Sequence, residues 1–297
     1  MRRIVLASLA GLGLMLPGLM LPGLMLAGLM PPASAQASST CQATVLDPHW
    51  CTKVVVVGHR GEQNAYEDTI RALRADRRQG ADFEDDVWNL ASRDGVPDAG
   101  PPVVIHDPTL RRTVDPATLH GLSPDAKIGD VTPQQWARLR TDGGQPLPTL
   151  HTLIYDAARW GMCGMVQIKY TPNHPDQIAA WASKSSCIVF YGSPSVYDGV
   201  CYQTGMAAMQ SAGVEIGLKV SAACPSTLSE DAAFGYSFVI GGSNDPAYVA
   251  EAHSLGLEVG NYNTANHQRW AALVEARVDY LLVPHTLTAQ RWLGRHR

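Results

Sequence analysis

Between residues 54 and 283 short apolar runs alternate with stretches whose apolar residues recur at helical spacing. That alternation is the one expected of a parallel sheet wrapped by helices. The runs that predict strands are 54–58, 82–87, 165–169, 187–192, 214–220, 236–241, 257–262 and 279–283. Helical patterns fall at 66–79, 148–160, 175–184, 195–212, 245–255 and 267–277, several opened by plausible caps such as Ser195 or the Asp245-Pro246 pair. The pattern is weakest over 225–233 and after Pro284. Eight strands separated by helices predict a closed α/β barrel, and 297 residues suit one such domain. Residues 88–147 break the rhythm, being long and rich in Pro, Gly, Asp and Arg, and so read as a functional insertion after the second strand.

The first 35 residues differ from all that follows. Arg2-Arg3 precede a Leu/Gly/Met segment repeating Leu-Pro-Gly-Leu-Met, and Ala33-Ser34-Ala35 has the small-x-small form of a cleavage site. The expectation is a cleaved export signal at 1–35, an N-terminal segment at 36–53 and the barrel at 54–297, giving a secreted protein. Residues 4–30 are apolar enough to span a bilayer, yet Pro17, Pro22 and regular glycines weaken a continuous helix, so no stable membrane span is expected after cleavage. All six cysteines follow the cut, and in an exported chain they read as three disulfides. Cys41–Cys51, Cys163–Cys187 and Cys201–Cys224 are the natural pairs. The second is the best founded, because adjacent parallel strands bring their starts to about 5 Å, the reach of a bridge. A formal net charge of −4 offers no extended basic surface, which excludes nucleic acid and points to a small partner.

Three apolar stretches run straight into ionisable residues: Val54–Val57 into Gly58-His59-Arg60-Gly61, Phe83 into Glu84-Asp85-Asp86, and Val103–Ile105 into His106-Asp107. On a strand Glu84 and Asp86 share a face, and two such carboxylates are best matched by a hard divalent ion. Gln167 and Lys169 repeat that spacing on the next strand. Lys169 and Arg60 form a natural clamp for phosphate oxygens, and the imidazoles of His59 and His106 can take and return protons near neutral pH. Asp85 should face the helical layer, Asp107 should orient its neighbours or turn the chain, Glu67 could cap or brace the first helix or else touch metal, and Arg111-Arg112 read as a solvated face rather than a pair that steers an anion.

These segments resemble the glycerophosphodiester phosphodiesterase family. The likeness rests on His59-Arg60-Gly61, on Glu67-Asp68-Thr69 where the family has Glu-Asn-Thr, on Gly80 to Val87, on His106 to Thr113, on Leu147 to Leu150 and on Ile168-Lys169. The resemblance implies a TIM barrel with a small insertion after the second strand and His59 and His106 as the catalytic pair. It further implies that Glu84, Asp86 and Gln167 hold Ca2+ or Mg2+, and that Arg60 and Lys169 contact phosphate. The implied reaction yields glycerol 3-phosphate and an alcohol. Three departures stand out: Gln167 replaces a usual Glu, Tyr262 stands in the substrate pocket where the family has Trp, and Val283-Pro284 replaces Thr-Asp.

Competing functions are a secreted phospholipase D of the sphingomyelinase type forming a cyclic phosphate, and a non-catalytic secreted binding protein on the same fold. A glycosidase using Glu84 and Asp86 is disfavoured, because residues on one strand face cannot easily flank a glycosidic bond.

Overall fold

The computed structural model describes residues 54–170, 172–185, 187–197, 200–202, 204–262 and 266–295. The expected signal at 1–35, the segment 36–53 and the Cys41–Cys51 pair lie outside the described residues. Among those that are described, no helix is long and apolar enough to cross a membrane.

Among the described residues there are eleven strands: β1 Val55–His59, β2 Asp82–Asn89, β3 Pro102–Val104, β4 Gly164–Ile168, β5 Ile188–Gly192, β6 Ser195–Tyr197, β7 Val200–Tyr202, β8 Ile216–Lys219, β9 Phe238–Ile240, β10 Glu258–Tyr262 and β11 Tyr280–Val283. Eight of them close a parallel barrel in the order β1-β2-β4-β5-β8-β9-β10-β11 and back to β1. Each corresponds to an apolar run predicted above. The chain is a TIM barrel. Its outer helices are α1 Ile70–Gln79, the short insertion helix α2 Pro133–Trp136, α3 Leu150–Arg159, α4 Pro175–Ala182, α5 Thr204–Ser211, α6 Leu228–Phe234, α7 Pro246–Ser254, α8 His267–Glu275 and α9 Thr286–Arg295.

Two of these helices occupy the intervals of weakest periodicity. α6 is fixed by a capping box in which Thr227 and Glu230 satisfy each other's backbone N–H groups, and α9 buries Trp292 and Leu293. The expected helix over 195–212 begins only at Thr204, and Ser195 opens β6 instead of capping a helix. The sequence reason is local: Val196-Tyr197 and Val200-Cys201-Tyr202 are β-formers flanking Asp198-Gly199, a hairpin signal. Asp245 does cap α7, accepting from the Ala247 N–H at 2.9 Å.

Alternation along the strands separates two cores. Val57, Met165, Val189, Tyr191, Phe238, Ile240, Tyr280 and Leu282 fill the barrel interior. The opposite faces pack under the helices, with Val56, Phe83, Val166, Phe190 and Trp270 among them. Gly217 gives up its side chain to the interior: a Cβ there would lie 2.3 Å from the Phe238 ring.

The 88–147 insertion is not a solvated excursion. It buries its own core of Leu90, Val103, Ile105, Leu110, Val114, Ile128, Trp136 and Leu139. Its β3 runs antiparallel to the far end of β2, pairing Val104 with Val87, so the third apolar stretch is a return hairpin on the barrel rather than a barrel strand. Trp136 therefore packs the insertion, whereas Trp270 packs the outer layer.

Cys163 and Cys187 are bonded, with Cα atoms 4.9 Å apart at the starts of neighbouring β4 and β5. Cys224 is in a disulfide as well; the side chain of Cys201, its expected partner, lies outside the described residues.

Candidate active site

Parallel strands with a period of two decide which side chains reach the C-terminal mouth. Phe83 and Val87 pack outward, so Glu84 and Asp86 point in. β1 ends on His59, β8 ends on Lys219, and β10 ends on Tyr262. Gln167 and Tyr191 are the penultimate residues of β4 and β5. His106 arrives from the insertion and is fixed from three sides. The Ile105 N–H donates to the Asp86 carbonyl at 2.9 Å, the His106 N–H donates to the Asp68 carboxylate at 2.9 Å, and the Trp88 indole donates to the His106 carbonyl at 3.1 Å.

The residues expected to act, His59, Arg60, Glu84, Asp86, His106, Gln167, Lys169 and Tyr262, meet at this mouth. His59 Nε2 lies 3.9 Å from Glu84 Oε2, and His106 Nε2 lies 4.0 Å from Asp86 Oδ2. Arg60 places Nε 3.8 Å from Asp86 and Nη1 3.6 Å from Glu67. Lys169 Nζ is 2.7 Å from Asp86 Oδ1 and donates to Gln167 Oε1 at 3.0 Å. The imidazoles are 23% and 28% exposed, whereas Glu84 and Asp86 are buried, so the histidines line an open cleft over an acidic floor.

Tyr262 joins the site through its ring, centred 4.9 Å from that of His59, and through its hydroxyl. Tyr191 donates to Glu84 Oε1 at 2.6 Å, so at the 2.6 Å contact between the two hydroxyls Tyr262 is the donor. Glu84 thereby receives the end of a two-hydroxyl chain.

Asp107 orients His106, as expected: its Oδ1 is 2.6 Å from Nδ1, which sends Nε2 toward the cleft. Arg112 bridges Asp107 and Glu67, so only Arg111, paired with Asp125 at the surface, fits the solvated-face reading. Glu67 braces arginines instead of capping α1, the cap being Thr69, whose hydroxyl accepts from the Ala72 N–H at 3.2 Å. Asp85 faces the helical layer as expected, with Oδ1 buried and without a hydrogen bond.

Burial dominates the proton affinities. Glu84 is pushed up to about 8, first by desolvation and then by the neighbouring Asp86 charge, with Tyr191 and Lys169 pulling the other way. His59 is driven down to about 3 by burial and then by Arg60. His106 is also lowered by burial, but Asp86 and the hydrogen bond that Nδ1 donates to Asp107 act to keep its proton.

Sequence reasoning passed over Tyr191 and Lys219. Both lie in predicted strands, and the signal for Lys219 is its phase: in Ile216-Gly217-Leu218-Lys219 the apolar positions face the helices, so Lys219 must face the barrel. Its Nζ reaches Gln167 Oε1 at 3.4 Å and sits 5.0 Å above the Tyr262 ring.

Residues 59–190 match the model of the glycerophosphoryl diester phosphodiesterase family. Over those residues, somewhat under half of its length, the chain is similar to this family. Its members are phosphoric diester hydrolases, and this chain is an enzyme of that type. No curated protein matches the chain. Among solved structures, a Silicibacter pomeroyi protein assigned to the glycerophosphoryl diester phosphodiesterases is 19% identical with a TM-score of 0.65, covering 82% of this chain and 94% of that one. An Oleispira antarctica phosphodiesterase in complex with the product sn-glycerol-3-phosphate is 21% identical with a TM-score of 0.62, covering 81% and 96%. A glycerophosphodiester phosphodiesterase from Parabacteroides distasonis is 15% identical with a TM-score of 0.64, covering 82% and 98%. At such identities these structures establish the shared fold.

Divalent-metal dependence is common among glycerophosphoryl diester phosphodiesterases, and Glu84, Asp86 and Gln167 are the ligands expected here. Their surroundings do not fit such an ion. The Gln167 amide oxygen accepts from both Lys169 and Lys219. Glu84 accepts from the Tyr191 hydroxyl and, at 3.2 Å, from the Arg60 backbone N–H. Both Asp86 oxygens lack hydrogen bonds, which would suit a cation, but the Lys169 ammonium at 2.7 Å already supplies one.

Proposed function

We propose that this chain hydrolyses glycerophosphodiesters outside the cell, with His59 and His106 as an acid–base pair and Arg60 and Lys169 holding the phosphoryl oxygens. The observation that carries the reading is the convergence of two partly exposed imidazoles and two cations on Glu84 and Asp86, a pair of carboxylates on one strand face. A phosphodiester resists attack because its own charge repels nucleophiles, so positioning and charge neutralisation must lower most of the barrier.

The roles divide by hydrogen bonding. His106 has a carboxylate on Nδ1, which stabilises its imidazolium and presents a proton on Nε2 to the leaving oxygen. Among the described residues no carboxylate is hydrogen-bonded to His59, since Glu84 at 3.9 Å is too distant, and Arg60 adjoins it, so His59 is the base. The attacking oxygen forms its bond to phosphorus as it gives its proton to His59. The bond to the headgroup oxygen breaks as His106 protonates it. The net addition of water leaves glycerol 3-phosphate and an alcohol. The Oleispira antarctica structure, holding sn-glycerol-3-phosphate on the same fold, supports this product class.

The test is turnover of glycerophosphocholine, glycerophosphoethanolamine and sphingomyelin by the wild type and by His59→Ala and His106→Ala. Release of glycerol 3-phosphate should fall roughly a hundredfold to ten-thousandfold in each variant, the range for a lost acid or base. Activity that survives both substitutions overturns the assignment, and a preference for sphingomyelin overturns the substrate class. For export, which rests on the leader and the cysteine pattern, sequencing the mature N-terminus should find it just after Ala35.

A further inference from the structure

Three cationic side chains gather over two carboxylates at the mouth of the barrel. Its inward-facing acids are Glu84 and Asp86, and against them stand Arg60, Lys169 and Lys219. Taken as formal charges these sum to about +1, rising toward about +2 where Glu84 takes up a proton, and either excess suits a phosphodiester monoanion. The rim acids Glu67 and Asp107 are already bridged by Arg112. A divalent ion at the same place would raise the inner sum to about +3, and its field would oppose ammonium groups held within a few ångströms of the same oxygens.

Lys219 is built into this position. β8 ends on it, the Gly217 two residues earlier clears the interior beneath it, and the Tyr262 ring stacks under its ammonium. Its contact with Gln167 is shared with Lys169, so one neutral amide oxygen holds two ammonium groups side by side. A neutral acceptor orients Lys219 without consuming its charge, whereas Lys169 is also paired with Asp86, so it is the Lys219 charge that is left for an incoming anion. A carboxylate at position 167 would neutralise it.

We propose that Lys219 and Lys169 together hold the phosphoryl group in the role a divalent cation would play, so that this enzyme binds its phosphate and turns over without metal. The idea rests on the proposed acid–base reading for its substrate class, and its test separates the two.

The experiment uses chelator-treated protein. Calorimetry and thermal unfolding with millimolar Ca2+ or Mg2+ should show no binding heat and no stabilisation, while sn-glycerol 3-phosphate alone should bind. Lys219→Met should weaken that binding and lower kcat/KM on glycerophosphocholine roughly a hundredfold, as for loss of one charge-stabilising donor. Lys219→Arg should recover part of both. Gln167→Glu combined with Lys219→Met should gain Ca2+ or Mg2+ binding, with Lys219→Gln replacing the methionine variant if it does not fold. Metal binding by the wild type, chelator-abolished turnover restored by metal, sn-glycerol 3-phosphate binding only with metal, or a double variant that gains no ion would each overturn the proposal. If the wild type turns over no diester at all, the acid–base reading falls, and the two binding measurements still decide the cation question.

Discussion

Replacing Asp107 by asparagine tests whether His106 is the proton donor. The side chain keeps its size, and the amide oxygen can still accept from Nδ1, so what is removed is charge. The carboxylate oxygen is 2.6 Å from Nδ1, and the pair is about a quarter exposed (28% and 22%), which calls for an effective dielectric near 40, between interior and water, and gives about 3 kcal/mol of attraction for the imidazolium. Arg112 holds the same carboxylate through Nε and through Nη2 at 3.2 Å, which offsets roughly half of that. The remaining ~1.5 kcal/mol corresponds to about a tenfold fall in kcat. The sign on pH follows from the same bond. Asp107 raises the proton affinity of His106, so its loss lowers it further, and a reaction that needs protonated His106 should lose its alkaline limb at lower pH in the variant. The assay is kcat and KM for glycerophosphocholine across pH 5–9 (roughly the range in which imidazole titrates), with thermal unfolding in parallel. A tenfold lower kcat, a KM within about twofold, an unchanged melting temperature and an acid-shifted limb are expected. An unchanged kcat, or an alkaline limb moved upward, refutes the donor role.

Tyr191→Phe leaves Glu84 Oε1 and the Tyr262 hydroxyl without their shared partner in a buried site, and should cost about 1–3 kcal/mol in urea unfolding; no loss would mean that the hydroxyl chain contributes nothing. Asp85 is buried without a hydrogen bond at Oδ1, and burial followed by the nearby acid Asp68 raises its affinity for a proton. A raised folded-state value favours folding below the ordinary carboxyl range and loses that contribution as pH climbs, so Asp85→Asn should be more stable than wild type at pH 8 and the gap should close toward about pH 4. A gap independent of pH would show that the fold does not raise the proton affinity of Asp85. Opening the Cys163–Cys187 bridge by Cys187→Ser removes a crosslink across 24 residues, worth roughly 3 kcal/mol in chain entropy, read as a lower denaturation midpoint under non-reducing conditions.

The barrel was legible because its strands are short apolar runs that cannot be helices of useful length, and each run predicted a strand that formed. What failed was the helix over 195–212. Residues 195–202 contain apolar residues at spacings that satisfy a helix and a hairpin alike, and the Asp198-Gly199 dipeptide carried the only distinguishing signal. α6 and α9 were hard to see for a different reason. Their stability comes from a capping box in one and from packed tryptophan and leucine in the other, and neither leaves a strong periodicity.

The site was legible where chemistry sits on residues rarely found at strand ends: histidine, arginine and paired acids. It was not legible where a residue type has an ordinary use elsewhere. A tyrosine inside an apolar strand reads as core, and Tyr191 is indeed core at its ring while its hydroxyl reaches the acidic floor. A lysine closing a strand reads as the point where the chain meets water, yet the phase of β8 turns Lys219 inward. The same alternation that pairs Glu84 with Asp86 therefore decides the electrostatics across the barrel. Had β8 been displaced by one residue, Lys219 would face the helices, Gln167 would hold a single ammonium, and the mouth would sum to neutrality instead of matching a phosphodiester. Register thus sets the charge of the cleft, and that charge decides whether a metal ion is needed there.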